Sequence, residues 1–468
     1  MISDERQTGG AGQGNGGSVT FSRQVRETFK LSIPIIIGHL GHMLMAVTDN
    51  VMVGRIGAVS LAAAGLSNVL FFLVLVMGIG VSVAITPLVA QARGAGQKAE
   101  CGLVLRQGLL VCLLSGAALF LITLGLVETL EHLDQPEEVV ASSRIYMTIL
   151  GFSIFPMMVF QAFKQFAEGL RVTTSAMVIT LLANLVNVFT NWVFIFGSLG
   201  APAMGLAGAG VGTLFSRIFM AAAMVAVVAR SPFLRTFAPF SRGFHIHIPM
   251  MKKLMGLGVP TGLQYVFEVS SFAGASVLIG WIGTRELAAH QIALNLSSIS
   301  YMFSLGISAA ATIRVGTALG GRDIRGARTA GFSAIALICL FMGFFAMVFI
   351  CFRSFLPGLY IDENDVVMIA SHILVVAGIF QFPDGIQAVS AGMLRGAMDV
   401  KIPTFITFAA YWIVGLPVGY VLGIRLGLGV IGVWIGLLMG LGASAVMMLS
   451  RFHRITRKTK RGRCQIVS

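Results

Sequence analysis

The fold of this chain is decided by a stretch that occurs twice, 226 residues apart. Residues 31–54 read LSIPIIIGHLGHMLMAVTDNVMVG, and residues 257–280 read LGVPTGLQYVFEVSSFAGASVLIG. The match continues without a gap to residues 96 and 322, with 17 of 66 positions identical. A repeat in an apolar chain predicts two related membrane halves, and transporters commonly place their binding site between such halves.

The composition predicts an integral membrane protein. Of 468 residues, 56% are hydrophobic and 11% are charged, and the mean hydropathy is +0.88. Charged residues normally make up about a quarter of a soluble chain. Runs of about 20 apolar residues are long enough to cross a bilayer. We predict an all-α protein with twelve spans, at about residues 31–54, 62–90, 104–127, 145–166, 175–198, 204–229, 254–281, 288–313, 330–352, 367–392, 403–424 and 428–450.

The spans divide the chain into two parallel repeats. We predict an N-lobe of six helices over residues 31–229 and a C-lobe of six helices over 254–450, joined by a cytoplasmic linker at 230–253. Residues 1–30 contain a glycine-rich polar stretch without an apolar core, which predicts a disordered leader rather than a signal peptide. Residues 451–468 form a basic tail.

The positive charges predict the orientation. If the N-terminus is cytoplasmic, the outer segments hold only five of the 33 Lys and Arg residues, namely Arg55, Arg144, Arg285, Arg353 and Arg425. Lys and Arg favour the cytoplasmic side, so both termini are predicted on the cytoplasmic side of the membrane. The net charge of +14 then serves contact with anionic lipids at the cytoplasmic face, and we expect no nucleic acid partner.

Three carboxylates stand out because they lie well inside predicted spans. They are Asp49 in the first span, Glu268 in the seventh and Asp384 in the tenth, and their spans carry no basic residue at comparable depth. A charged side chain at bilayer depth costs about 2.5–3.5 kcal/mol, so each acid must face a cavity or a partner. Such a group can exchange a proton or supply oxygen ligands to a small cation. The alternative is that each acid caps or hydrogen-bonds a neighbouring helix.

Polar residues accompany Asp49 in the first half. His42 precedes it by about two helical turns and occupies the repeat position of Glu268, whereas Asp49 aligns with Ala275. A proton relay through His42 competes with a simple hydrogen bond between helices. The fifth span holds three amides that either join helices or line a polar cavity near Asp49; they are Asn184, Asn187 and Asn191.

Prolines in the first and seventh spans predict bends. Pro34 and Pro260 occupy equivalent repeat positions, and proline removes a helix hydrogen bond. These bends either move during function or remain static kinks. The sequence contains no P-loop lysine, Ser/His/Asp series or metalloprotease helix, so we predict neither an enzyme nor a bound cofactor. The five cysteines have no metal-site spacing, and we interpret them as packing residues.

The chain resembles the multidrug and toxic compound extrusion (MATE) family, and in particular its bacterial NorM-type branch, over residues 25–450. The resemblance rests on several motifs in order: TDNVMVG at 48–54, in which Asp49 lies fifteen residues after Pro34, GVPTGLQYVFE at 258–268, AAHQIALN at 288–295, and QFPD at 381–384 followed by GMLRG at 392–396. Residues 184–197 also match.

This resemblance implies two pseudo-symmetric six-helix lobes that form a V around a central cleft, in a chain that we expect to be monomeric. It implies export of organic cations and drugs, and hence antibiotic resistance, in exchange for Na+ or H+. Glu268 and Asp384 match the cation site of the C-lobe, where they would be the ligands if the ion is Na+, and Asp49 matches the acid of the N-lobe. The supporting residues would be Gln264, Phe380 and Gln381. The branch can carry a tyrosine where this chain has Phe380.

Two other functions compete with a drug antiporter. A lipid-linked oligosaccharide flippase of the wider superfamily would favour a basic cavity for pyrophosphate, whereas the spans here are acidic. A channel or a non-transporting receptor is the other alternative. The sequence has no re-entrant filter and no repeating charged ring that would favour a channel.

Overall fold

Twelve long helical spans make up the protein, as the sequence predicts. The computed structural model describes residues 21–132, 135–237 and 245–458. Each span is long and apolar enough to cross a membrane. The spans are α1 (Phe21–Gly54), α2 (Ala58–Gly94), α3 (Lys98–His132), α4 (Glu137–Gly169), α5 (Thr174–Phe196), α6 (Leu206–Arg230), α7 (Ile248–Gly280), α8 (Thr284–Gly320), α9 (Ile324–Cys351), α10 (Asn364–Gly396), α11 (Lys401–Arg425) and α12 (Gly429–Arg457).

Several spans depart from a regular α-helix. A single turn residue interrupts α2 at Ala84 and α4 at Ser153. In α11 two π-helical segments, Ala409–Gly415 and Val421–Arg425, flank a short α-helical piece that contains Pro417. Such wide turns are rare and often occur at functional sites. By contrast, the helices α1 and α7 continue without interruption through Pro34 and Pro260.

The spans form two lobes. Within the N-lobe, α1 packs on α5, α2 on α4, and α6 on α4 and α5; within the C-lobe, α10 packs on α8, α9 and α12. The lobes meet through α1, α2, α7 and α8. These are the four spans that contain the internal repeat, so the pseudo-symmetric elements form most of the interface, with further contacts from α9 to α1 and from α10 to α2.

The lobes are in contact near one face of the molecule, which we call the terminal face because α1 begins and α12 ends there. Gly80 in α2 lies so close to Gly262 in α7 that a Cβ on Gly80 would overlap the backbone of Gly262. Gly94 at the end of α2 lies equally close to the carbonyl of Thr317 at the end of α8. Only glycine permits such an approach between helices. Gly80 and Gly262 lie about 21 Å from the terminal-face ends of their helices, so the lobes are in contact from the terminal face to about mid-helix and form the expected V.

Hydrogen bonds reinforce this closure. The Arg314 guanidinium in α8 donates to the carbonyl oxygen of Gln24 at 2.5 Å, and also to the Gln24 side chain and the Thr28 hydroxyl in α1. The Thr28 hydroxyl lies 3.3 Å from that of Ser333 in α9. The amide of Gln91 in α2 donates to the carbonyl of Gly396 at 3.0 Å. Polar groups from both lobes thus satisfy each other at the terminal face.

These contacts correct part of the predicted leader. Residues 21–30 were predicted to belong to a disordered segment, but they form the first turns of α1, because Gln24 and Thr28 are fixed by Arg314. The rest of the leader, residues 1–20, lies outside the described residues.

Other predicted boundaries also shift. In the predicted linker, Pro232–Arg235 is a short helix and α7 already begins at Ile248, while residues 238–244 lie outside the described part. The tail continues α12, with Arg451 donating to Asp399 at 2.5 Å, and residues 459–468 are again outside. Four of the five cysteines are described and are free thiols; Cys464 falls in the undescribed end.

Candidate functional site

Two carboxylates of the C-lobe are buried in its interior. Glu268 is 6% exposed and Asp384 is 5% exposed, and the two lie within electrostatic range of each other. Glu268 belongs to the inward face of α7, where Thr261, Gln264 and Ser271 are also buried at helical spacing. Two buried acids within electrostatic range repel each other when both are ionised, so the pair is stabilised by a proton or by a nearby cation.

Tyrosines complete this C-lobe carboxylate site. The Tyr301 hydroxyl in α8 donates to Glu268 Oε1 at 2.8 Å. The Tyr411 hydroxyl lies in the first π-helical segment of α11, within electrostatic range of both acids, and has no hydrogen-bond partner among the described residues. A hydroxyl oxygen of this kind can serve as a ligand for a small hard cation.

The supporting residues predicted from sequence lie on α7 and α10, the helices that carry the two acids. The side-chain oxygens of Gln264, one turn before Glu268, and of Gln381, three residues before Asp384, are buried and accept no hydrogen bond from the described residues. Phe380 contacts Phe272 and Trp434 edge-on, with ring centroids 6.2 and 5.7 Å away. Phe380 therefore packs in an aromatic cluster. The phenol group near the two acids belongs instead to Tyr411.

A buried cation modifies the predicted charge of this site. The sequence analysis found no basic residue at the depth of the acids in their own spans, but α10 extends to Gly396 and buries Arg395. The Arg395 guanidinium donates to the hydroxyls of Tyr265 and of Ser308, the latter at 2.8 Å, and lies within electrostatic range of Glu268. The C-lobe carboxylate site therefore holds two acids and one guanidinium, which leaves one unmatched negative charge when both acids are ionised.

Asp49 occupies a different environment in the N-lobe. The Asn191 amide in α5 donates to Asp49 Oδ1 at 2.6 Å, and the Thr213 hydroxyl in α6 donates to Asp49 Oδ2 at 3.3 Å. Asn191 also donates to Asn187 Oδ1 at 3.3 Å. Asn191 and Asn187, two of the three amides of the fifth span, therefore lie beside Asp49. Both carboxylate oxygens of Asp49 accept a hydrogen bond.

A guanidinium accompanies Asp49 as well. Arg217 in α6 donates to the Ser153 hydroxyl at 2.7 Å, stacks over the Phe71 ring at 5.3 Å, and lies within electrostatic range of Asp49. One acid and one base leave no net charge here. The N-lobe network is thus electrically balanced, whereas the C-lobe carboxylate site is not.

The remaining predicted residues have structural contacts. Asn184 donates to the carbonyl of Gly41 at 3.1 Å and so joins α5 to α1, which is the helix-joining alternative. His42 is half-buried and its ring contacts Phe160 edge-on at 6.3 Å. Pro34 lines a small cavity that also contains Lys164 and Glu168, a buried pair with Nζ and Oε1 3.8 Å apart.

Several of these residues were missed from the sequence. Arg217 and Lys164 lie inside predicted spans, so the depth argument that selected the acids would have found them if applied to cations. Arg395 and Glu168 fall just beyond predicted span ends. Tyr301 carried no local signal, because its role depends on how α8 packs against α7.

Asp49 and the C-lobe acids form separate sites. The hydrogen-bond donors of Asp49 come from α5 and α6, and the donor of Glu268 comes from α8. Within the described ranges, no group of three or more His, Cys, Asp or Glu side chains is placed to hold a metal ion. A cation at Glu268 and Asp384 would therefore take its further ligands from neutral oxygens.

A polytopic protein built from two repeated six-helix lobes, closed together at one face and with ionisable groups buried inside, has the architecture of a membrane transporter. Comparison with known proteins identifies the kind. The family model described as MatE matches residues 34–193 and 260–421, one match per lobe and again starting 226 residues apart. The chain belongs to the MatE family.

Its relatives and structural neighbours agree. The chain is 36% identical over 441 residues to a probable multidrug resistance protein NorM of Rhizobium meliloti, covering 92% of this chain and 94% of that protein. It is 34% identical to the multidrug resistance protein MdtK of Yersinia pseudotuberculosis, over 92% of this chain and 95% of that one. The fold matches the eukaryotic MATE transporter AtDTX14 with a TM-score of 0.85 at 19% identity, covering 94% of this chain and 99% of that chain.

Proposed function

We propose that this protein is a secondary active antiporter that exports small organic cations and drugs in exchange for Na+ or H+, with coupling at Glu268 and Asp384. The observation that carries the proposal is the unmatched negative charge of the C-lobe carboxylate site. A buried site with an excess of one negative charge is most stable with one bound proton or cation. Relatives named as multidrug resistance proteins support the substrate class.

Exchange follows if the bound ion and the drug favour different arrangements of the lobes. A ligand shifts a conformational equilibrium only by its difference in affinity for the two states. The state seen here, with the lobes in contact at the terminal face, is one of the two states that alternating access requires. With both termini cytoplasmic, as the Lys and Arg distribution indicates, this state opens to the outside of a bacterial inner membrane.

Charge also bears on the flippase alternative. A pyrophosphate carries negative charge, and the C-lobe carboxylate site would repel it. Of the guanidiniums in the two sites, Arg217 lies near Asp49 and Arg395 near Glu268, so each is accompanied by a carboxylate that would repel a pyrophosphate. We therefore favour cationic substrates. We also propose that the chain acts as a monomer, since each lobe carries its own network.

The test is uptake of the fluorescent cation ethidium into inverted membrane vesicles that contain the full chain. A Na+ gradient and a pH gradient are imposed separately, and each is then collapsed with an ionophore. We expect uptake to stop when one of the two gradients is collapsed, which identifies the coupling ion. Uptake that continues without either gradient, or no uptake under any gradient, would refute the antiport proposal.

A further inference from the structure

An open groove of about 400 Å³ lies on the C-lobe between α7 and α11. At its floor, the Thr404 hydroxyl donates to the carbonyl oxygen of Pro260 at 2.8 Å and joins the two helices. Its walls are formed by Pro260, Leu263 and Phe267 from α7 and by Lys401, Phe405 and Phe408 from α11. The Phe405 side chain is 66% exposed, so the groove presents apolar surface that the protein itself does not cover.

The position of the groove on α7 shows that it faces the bilayer. Gly258 and Gly262 of α7 pack against α2 of the N-lobe at Val81 and Met77. In an α-helix each residue turns by about 100°, so Pro260 lies on the side opposite to these glycines. The groove therefore opens away from the interface between the lobes.

The order of charge and apolar surface along the groove matches that of a phospholipid. Lys401 lies in the first turn of α11, at the terminal face of the membrane, and is exposed. Phe408 is seven residues deeper, about 10 Å along the helix axis. The rings of Phe267 and Phe408 are in contact there, with centroids 5.0 Å apart. A cation at headgroup depth thus leads into an aromatic channel that runs along the direction of an acyl chain.

We propose that this groove binds one anionic phospholipid. The Lys401 ammonium contacts the phosphate, and one acyl chain lies between Leu263, Phe267 and Phe405. At the corresponding position beside Pro34 in the N-lobe, the described residues leave a cavity of only about 10 Å³, which the Lys164–Glu168 pair lines. The expected stoichiometry is therefore one bound lipid per chain. The proposal does not depend on the transported substrate or the coupling ion.

The experiment is native mass spectrometry of the delipidated full chain, titrated with phosphatidylglycerol or with phosphatidylcholine of the same acyl chains. We expect the first phosphatidylglycerol to bind about fivefold more tightly than the first phosphatidylcholine, because one Lys near a membrane surface contributes about that factor. Lys401→Gln should remove this preference. Leu263→Trp, which fills the groove, should weaken the first binding step for both lipids.

The matched control is Lys253→Gln, which removes an exposed cation from α7 near the same face but outside the groove. It should leave the preference unchanged. An excess of inorganic phosphate should not displace the lipid, since the acyl chain provides most of the binding. Equal loss in Lys253→Gln and Lys401→Gln would mean non-specific attraction to a basic face and would overturn the proposal. Unchanged binding in both Lys401→Gln and Leu263→Trp would do the same.

Discussion

The two lobes share one scaffold but differ in the charges that surround their buried acids. In the N-lobe, Asp49 is matched by Arg217 and both of its oxygens accept hydrogen bonds. In the C-lobe carboxylate site, Glu268 and Asp384 are matched by the single guanidinium of Arg395. The difference teaches that two repeats can keep the same helix packing while the ionisable groups inside them differ.

The largest expected effect is on transport by variants of the carboxylates. Asp384→Asn and Glu268→Gln should each lower gradient-driven ethidium uptake at least about tenfold, because losing a charged ligand costs about 1.5–3 kcal/mol. Asp49→Asn should lower it by less. Initial rates in inverted vesicles at matched expression measure this, with the exposed Asp362→Asn as a control. If Asp49→Asn has the larger effect, coupling resides in the N-lobe.

A second test breaks the charge balance of the N-lobe. Arg217→Gln leaves Asp49 without its cation and should lower the free energy of unfolding by about 1–3 kcal/mol, the cost of a buried group that loses its partner. Adding Asp49→Asn to this variant should restore most of the loss. Thermal unfolding in detergent gives the comparison. If the double variant is no more stable than Arg217→Gln alone, the guanidinium does not balance Asp49.

A third test removes one hydroxyl from each lobe. Tyr301→Phe takes away the donor that stabilises ionised Glu268 and should shift the apparent affinity for the coupling ion about tenfold, towards tighter binding if that ion is H+, because hydrogen bonds to charged groups contribute about 1.5–3 kcal/mol. Thr213→Val makes the parallel change at Asp49 and should alter that affinity less than about threefold. Titrating the driving ion in vesicles measures both values. Equal shifts would show that the two lobes contribute equally to ion binding.

The smallest expected effect concerns the threonines that line the cavities beside Pro260 and Pro34. The Thr404 hydroxyl donates to Pro260 of another helix as well as to Val400 of its own, whereas the Thr180 hydroxyl donates only to Ala176 of its own helix among the described residues. Bonds between membrane helices contribute about 0.6 kcal/mol on average. Thr404→Val should therefore lower the unfolding temperature slightly more than Thr180→Val does. Identical melting curves would mean that the bond at the groove floor adds nothing to stability.

The number of spans could be predicted from the sequence, because each apolar run is long and the repeat pairs runs in one half with runs in the other. It was insufficient for the start of α1, since Gln24 and Thr28 are polar and become helical through contact with Arg314 of the other lobe. The π-helical segments of α11 were likewise not predicted, because they have no distinct composition.

Site residues could be predicted where the signal lies within their own span, and not where it depends on how distant helices pack together. Asp49, Glu268 and Asp384 were found from depth alone. Their partners Tyr301, Thr213 and Arg395 are distant in sequence and meet the acids only through helix packing. The charge balance, on which the comparison of the lobes rests, therefore required coordinates.

The glycine contacts between the lobes have a consequence for the rate of the proposed alternating access. A gate made of side chains can open by rotamer changes, which take picoseconds to nanoseconds. At Gly80 and Gly262 backbone touches backbone, so no side chain can rotate away. Separation there would require whole helices to move, and collective motions of that kind take microseconds to milliseconds. If transport proceeds by separation of the lobes, the same glycines that let them approach closely set a lower limit on the duration of each cycle.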